Sequence, residues 1–205
     1  MTHVDVGARA SEVLAAYAGC GGTVRKYVST GRLGPIGHVA CLDRCMGPVG
    51  EGGAGYWFGR GGPLLAELCE LLGTRARDVV ARTDEPHGVT EAYVATESGR
   101  HVHFTGSWRA SVDSHCLWIE GARGSLRTDG GVVWWRKRGW RFFVPVRIGT
   151  APKAATLASA ARRAAADTGQ RGAADDRVAL ATAAVASSMT RRVVPLSGPG
   201  RAAAA

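Results

Sequence analysis

The sequence predicts an α+β domain, built as one open, mostly antiparallel β-sheet with helices on one face. Three observations carry this. From Arg77 to Ile148, apolar and polar residues alternate with period two in short runs. Segments before and after that stretch place apolar residues at helical spacing or are rich in alanine. The strand-like runs are also too closely spaced for parallel crossovers, which need a dozen or more connecting residues.

Taken in order, residues 11–31 read as one helix, interrupted near Gly19-Cys20-Gly21-Gly22 because clustered glycines oppose helix. Val24, Tyr27 and Val28 keep the i, i+3, i+4 spacing, and Gly31 is suited to a C-cap. A β-type run follows from Ile36 to Leu42, then a glycine-rich loop from Gly47 to Gly62. Leu64, Leu65, Leu68, Leu71 and Leu72 form a short amphipathic helix, with Pro63 in its first turn and Gly73 at its stop. Strands are expected at Val79-Val80, Ala92-Tyr93-Val94, His101 to Trp108, Cys116 to Ile119, Val132 to Trp135 and Trp140 to Val146. Turn signals separate them at Ser98-Gly99, Asp113-Ser114, Asp129-Gly130 and Arg138-Gly139. Beyond Pro152 the chain gives two helices, Ala151–Ala166 and Asp175–Thr190, split by residues 168–172. The expected division is a helical lead-in over 1–34, one sheet domain over 35–197, and a disordered tail over 198–205.

Composition bounds the function. The 205 residues suffice for one domain with a real core, and 45% apolar with 21% charged residues is a globular balance. No run approaches the roughly 18 apolar residues that cross a bilayer, so no membrane is expected. Met1 to Asp5 has neither a basic nor an apolar signal region, which predicts a cytoplasmic protein. The five cysteines are odd in number and irregularly spaced, as reduced thiols would be. Cys41 and Cys45 lack a second pair, so no metal site is expected there. A net charge of +9 raises the question of nucleic acid. The arginines are spread along the chain, however, and the dense Trp134–Arg141 cluster reads as a hairpin turning at Lys137-Arg138-Gly139. Nucleic acid is therefore not an expected partner.

Val24 to Val39, with Thr30-Gly31-Arg32-Leu33-Gly34-Pro35-Ile36-Gly37 at its centre, resembles the helix, turn and first sheet strand of the Gfo/Idh/MocA oxidoreductases. The resemblance continues through Leu71-Leu72-Gly73, Ser98-Gly99-Arg100 and the strand–turn–strand Ile119 to Leu126. It ends with Asp175 to Leu196, like the family's final helix and strand. It implies the family's C-terminal sheet domain, and two departures bear on chemistry. A complete member begins with a dinucleotide-binding domain of about a hundred residues or more carrying a catalytic lysine. Here only His3 to Gly7 resembles a remnant of it, so no cofactor is expected. The family also places D-x-x-x-H on the helix ending at Leu72-Gly73; counting back puts Gly59 and Pro63 at those positions. Gly50 to Gly55 does match G-x-G-x-x-G, but Tyr56 to Pro63 reads as unable to open the helix that fingerprint needs.

Candidate residues must then come from elsewhere. His101, His103, Thr105, Ser107 and Arg109 alternate on one strand and so share a face, with His115 on the next strand in reach of them. His101, His103, His115 and Tyr56 are the candidate proton-transfer residues, and Arg60, Trp57, Arg109 and Trp108 the candidate substrate contacts. The expected function is a cofactor-independent, non-redox enzyme on a sugar- or natural-product-like molecule, working by proton transfer, dehydration or cyclisation. The competing expectation is a non-catalytic subunit that binds a full-length oxidoreductase. The family's sheet-to-sheet pairing implies a homodimer through the sheet face.

Overall fold

A computed structural model describes residues 21–46, 52–129, 131–146 and 170–196. The expected elements at His3–Gly7, residues 11–20, Ala151–Ala166 and the tail lie outside them. Helix α1 (Gly21–Ser29) leads into strand β1 (Ile36–Arg44). A helical stretch follows: α2 (Gly52–Tyr56), a π-helical turn (Trp57–Gly61) and α3 (Gly62–Leu71). Then come β2 (Ala76–Asp84), β3 (Val89–Thr96), β4 (His101–Ser107), β5 (Ser114–Gly121), β6 (Gly124–Asp129), β7 (Val132–Lys137) and β8 (Val144–Val146). Helix α4 (Gln170–Thr190) and strand β9 (Val194–Pro195) complete the described chain.

The strands form one nine-stranded sheet in the order β8-β7-β6-β5-β1-β4-β3-β2-β9. All neighbours are antiparallel except β1 and β4, which run parallel. That pairing follows from the chain path: the helices and the β2–β3 hairpin intervene, long enough for a crossover. The fold class is the expected one. Val39, Val79, Val94, Val102, Phe104, Leu117, Ile119 and Leu126 point to the helix side, and each is at most 1% exposed. They pack against Leu64, Leu65 and Leu68 of α3 and Leu180, Ala181 and Ala184 of α4. At roughly 1.5–3 kcal/mol for each fully buried large apolar side chain, this layer is the main source of stability. The other sheet face carries no helix among the described residues.

Three expectations need correction. The glycine-rich segment is a loop in the sequence reading, yet Gly52 to Leu71 is continuously helical. Buried Tyr56 and Trp57 anchor it, and glycine is what lets its backbone approach so closely. A Cβ at Gly62 would lie 2.7 Å from the Ala181 Cβ of α4, and one at Gly53 would lie 2.5 Å from the Thr83 side chain. Packing here outweighs the roughly 1 kcal/mol helix penalty of each glycine. Second, the strand expected from Trp140 shrinks to Val144–Val146. Trp140 instead folds back, its N–H donating to the Lys137 carbonyl at 3.0 Å and its ring meeting Trp135 at 5.5 Å. Third, residues 170–172, expected to break helix, belong to α4, while the expected strand–turn–strand from Ile119 to Leu126 is met by β5 and by β6, which also pairs with β7.

Candidate functional site

The most concentrated chemistry lies on the helix side, near the C-terminal ends of β1 and β4. Strand parity puts Asp43 in line with buried Val39 and Cys41, so its carboxylate faces the core and is 0% exposed. Asp43 is register partner both of Gly106 on β4 and of His115 on β5. A carboxylate so placed must find donors. Tyr56 Oη donates to its Oδ2 at 2.6 Å, and Arg60 donates Nε to Oδ2 at 2.6 Å and Nη2 to Oδ1 at 2.9 Å. His115 Nε2 lies 2.8 Å from Oδ1 and also 2.8 Å from Arg60 Nη2. With a proton on Nε2 the ring donates to Asp43 and its contact with the Arg60 Nη2 donor is no hydrogen bond; with Nε2 bare it accepts from Arg60 instead, and the neighbouring carboxylate favours the first arrangement.

The local sequence explains this convergence. Tyr56, Trp57 and Arg60 are drawn to one side across the π-helical turn, whose wider pitch changes the side-chain register. Tyr56 reaches Asp43 only because residue 106 is glycine: a Cβ there would sit 2.3 Å from the Tyr56 hydroxyl. Trp108 closes one wall, its ring centroid 5.5 Å from that of Tyr56, and Phe104 packs beneath both Tyr56 and Trp57.

The electrostatics follow from burial and pairing. Burial would raise the Asp43 pKa, but the hydrogen bonds from His115 and Arg60 outweigh it and hold the carboxyl below its ordinary value. Burial and the neighbouring Asp43 charge push the Tyr56 hydroxyl well above its usual range, so it stays a proton donor. Arg60 loses hydration by burial, yet the Asp43 hydrogen bond and charge raise its pKa overall. The Cys45 thiol, pushed up to about 11 by burial, remains protonated and donates to the Ser107 carbonyl at 3.4 Å.

The sequence-derived candidates separate into three places. His115, Tyr56, Arg60, Trp57 and Trp108 come together on the helix side, with Trp57 a fully buried wall whose Nε1 donates to Thr83 Oγ1 at 3.4 Å. His101 and His103 project from the opposite, open face. There the His103 ring stacks on Tyr93 with centroids 4.3 Å apart, and its Nε2 is buried without a hydrogen-bond partner. His115 therefore does not approach them: it sits at an odd position of β5, whereas the open face takes Cys116, Trp118 and Glu120. Arg109 lies beyond the end of β4 and caps the β2–β3 turn, Nη1 donating to the Pro86 carbonyl at 2.6 Å while its stem covers Gly88. Asp43 is the residue the sequence reading passed over. Its signal was present as a charged residue at a core-facing parity of a strand.

The Gly53 N–H at the start of α2 already donates to both carboxylate oxygens of Glu85, at 2.9 and 3.0 Å. That N–H is therefore held by a carboxylate and not open to a phosphate. Among the described residues no group of three or more His, Cys, Asp or Glu side chains is arranged to hold a metal. No described helix is long and apolar enough to cross a membrane.

Known structures place this architecture. The oxidoreductase domain protein from Kribbella flavida aligns with a TM-score of 0.72 at 14% identity, over 88% of this chain and 64% of that one. The chain has the fold of the Gfo/Idh/MocA sheet domain. The aldose–aldose oxidoreductase from Caulobacter crescentus, complexed with glycerol, gives a TM-score of 0.64 at 17% identity, over 84% of this chain and 59% of that one. A levoglucosan dehydrogenase in complex with NADH and L-sorbose gives 0.64 at 13% identity, over 85% and 62%. This chain thus spans about 60% of the length of these proteins. No protein-family model and no curated protein matches the sequence. Gly59, Arg60 and Pro63 lie on the helical stretch that carries the cluster.

Proposed function

We propose that this chain is a non-redox, cofactor-independent enzyme acting on a polyhydroxylated small molecule by proton transfer, with His115 as the proton-transfer residue. One observation carries this reading: a fully buried carboxylate, Asp43, holds His115 at 2.8 Å while Arg60 balances its charge. A carboxylate bound to Nε2 fixes the tautomer and stabilises the imidazolium that forms when Nδ1, buried in this structure, accepts a proton from a molecule admitted beside it. Asp43 is then a positioning residue, kept ionised by His115 and Arg60 and aimed with the help of the Tyr56 hydrogen bond. Trp57 and Trp108 wall the cluster and lower its local dielectric, which strengthens each of these interactions. The substrate class is suggested by the glycerol and L-sorbose bound to proteins of the same fold.

The test is deuterium exchange. L-Sorbose incubated with the protein in D2O should incorporate deuterium at the carbon next to its carbonyl, followed by proton NMR. His115→Gln should slow that exchange by about a hundredfold or more. Equal rates in wild type and variant, or no exchange above buffer by the wild type on L-sorbose and related ketoses and aldoses, would overturn the proposal.

A second reading rests on the other side of the molecule. The sheet's open face exposes Tyr93 at 56% and Val80 at 40% on one side of β1, with half-buried Trp118 and Trp134 on the other side. Apolar and aromatic surface of this kind on a flat sheet supports a binding face for a second polypeptide. We read that polypeptide as another copy of this chain, with a full-length oxidoreductase of the same fold as the competing partner.

A further inference from the structure

The end of the sheet away from Asp43 and His115 holds a separate concavity. It is an open cleft of about 570 Å³ between the last turn of α1, the start of β1, the C-terminus of α3 and the β3–β4 turn. Small-molecule sites commonly enclose about 300–1,000 Å³. Ile36 lines the cleft at the beginning of β1, whereas Asp43 stands near the end of the same strand, about 23 Å away at about 3.3 Å per residue.

The walls divide by chemistry. Val28, Pro35, Ile36 and Leu71 supply apolar surface, and Arg25, Lys26 and Arg100 supply three cations against the single carboxylate of Glu70. Arg25 is already committed, 3.6 Å from Glu67 and 3.5 Å from Glu70, so these charges largely cancel. The other two cations are not. Lys26 Nζ has neither an ion pair nor a hydrogen bond among the described residues. Arg100 donates Nη1 to the Leu72 carbonyl at the end of α3, and its side chain makes no other polar contact there. Its Nε and Nη2 stay available, and they form the same edge by which Arg60 grips the Asp43 carboxylate. That edge matches two oxygens of a carboxylate or a phosphate.

Helix-end pairing accounts for only part of this arrangement. Lys26 lies in the last turn of α1 and Arg100 at the end of α3, where cations offset the negative helix ends. The chain itself already closes those ends. The Lys26 carbonyl accepts from the Thr30 N–H at 3.0 Å and the Thr30 hydroxyl at 2.6 Å. At α3 the Gly73 N–H donates to the Glu70 carbonyl and the Thr74 N–H to the Cys69 carbonyl. A single guanidinium N–H serves Leu72, which leaves the rest of the group unused. Arg100 is also fixed from behind: its N–H donates to Thr96 Oγ1 at 3.0 Å and its carbonyl accepts from the Thr96 N–H at 3.0 Å, with Thr96 fully buried. With its backbone and Nη1 both held, the open edge loses little freedom on binding. We propose that this cleft binds a small organic anion. An apolar body lies against Val28, Pro35, Ile36 and Leu71, and a carboxylate or phosphate sits on Lys26 and the Nε/Nη2 edge of Arg100. The site is distinct from the His115 cluster and independent of the function assigned there.

Amide NMR titration of the full chain tests this, with phenylacetate, phenyl phosphate and the uncharged benzyl alcohol as probes at about 150 mM salt. Either anion should shift the amides of Gly34, Ile36, Gly73 and Arg100 saturably, with a Kd of about 1 mM or tighter, and the tighter of the two names the head group. Lys26→Gln changes an exposed side chain, and Arg100→Lys keeps the charge but removes the fork; each should weaken binding at least about fivefold. Arg82→Gln removes the same charge from an exposed position outside the cleft and should leave binding unchanged. Lys26→Gln keeps the test decisive if Arg100→Lys folds poorly. No saturable shift at these amides with either anion would overturn the proposal. So would benzyl alcohol binding as tightly as the anions, or Arg82→Gln weakening them as much as Lys26→Gln does.

Discussion

Asp43 and His115 face each other as register partners on neighbouring strands, Oδ1 to Nε2 at 2.8 Å, on the buried side of the sheet. Around that pair the chain concentrates its least expendable residues, and they can be probed separately.

Replacing Asp43 by Asn keeps an acceptor for Tyr56 but removes the charge opposite Arg60. A buried guanidinium would be left uncompensated, and loss of one partner of a buried pair costs about 3 kcal/mol. Urea unfolding of Asp43→Asn should show that loss with the m-value unchanged. A loss below about 0.5 kcal/mol would mean that the pair is hydrated enough to be dispensable.

The same carboxylate sets an acid limit. Its pKa is depressed in the folded state, so its contribution is complete above the unfolded value of about 3.9 and is lost as pH falls through the lower folded value. Wild type should lose stability in that window. Asp43→Asn, already without the carboxylate, should lose less over the same range, measured as the difference in urea midpoint between pH 5 and pH 2.5.

Gly106→Ala tests the steric half of the cluster. Its Cβ would meet Tyr56 Oη at 2.3 Å and Tyr56 Cε1 at 2.5 Å, and neither the buried ring nor the strand can yield freely. A cost of about 2 kcal/mol is expected, with any activity at His115 falling alongside. Tyr56→Phe/Gly106→Ala should not recover it fully, since the ring itself clashes.

Glu67 behaves oppositely to Asp43. Burial raises its pKa, and Arg25, 3.6 Å away, only partly offsets that. Its charged form is therefore a burden in the folded state, carried from the unfolded pKa of about 4.3 upward and relieved as pH falls. Glu67→Gln should raise Tm at pH 7 by about 1–2 °C and give a smaller gain near pH 4.5.

Much of this was legible in the sequence. The period-two runs gave most of the strands, and leucines 64 to 72 gave α3, because burial on one face writes a direct pattern. Two stretches were harder to read, each for its own reason. Residues 52–62 look like a loop because glycine opposes helix locally, and only contacts from Thr83, Glu85 and Ala181 reveal why glycine is needed there. Strand β6 was legible through family resemblance but not from its own alternation, since Ser125, Arg127 and Thr128 blur apolar and polar faces. The site was half visible. Tyr56, Arg60 and His115 stood among the candidates, but His115 was grouped with His101 and His103. Parity within one strand says nothing about the relative phase of the next, and register alone sets that.

Histidine side-chain NMR tests the functional assignment most directly, because it addresses both candidate faces in one sample. With L-sorbose added to saturation, the ring resonances of His115 should shift while those of His101 and His103 stay in place, and Asp43→Asn should abolish the response. Shifts confined to His101 and His103, with His115 unmoved, would contradict a proton-transfer site on the helix side.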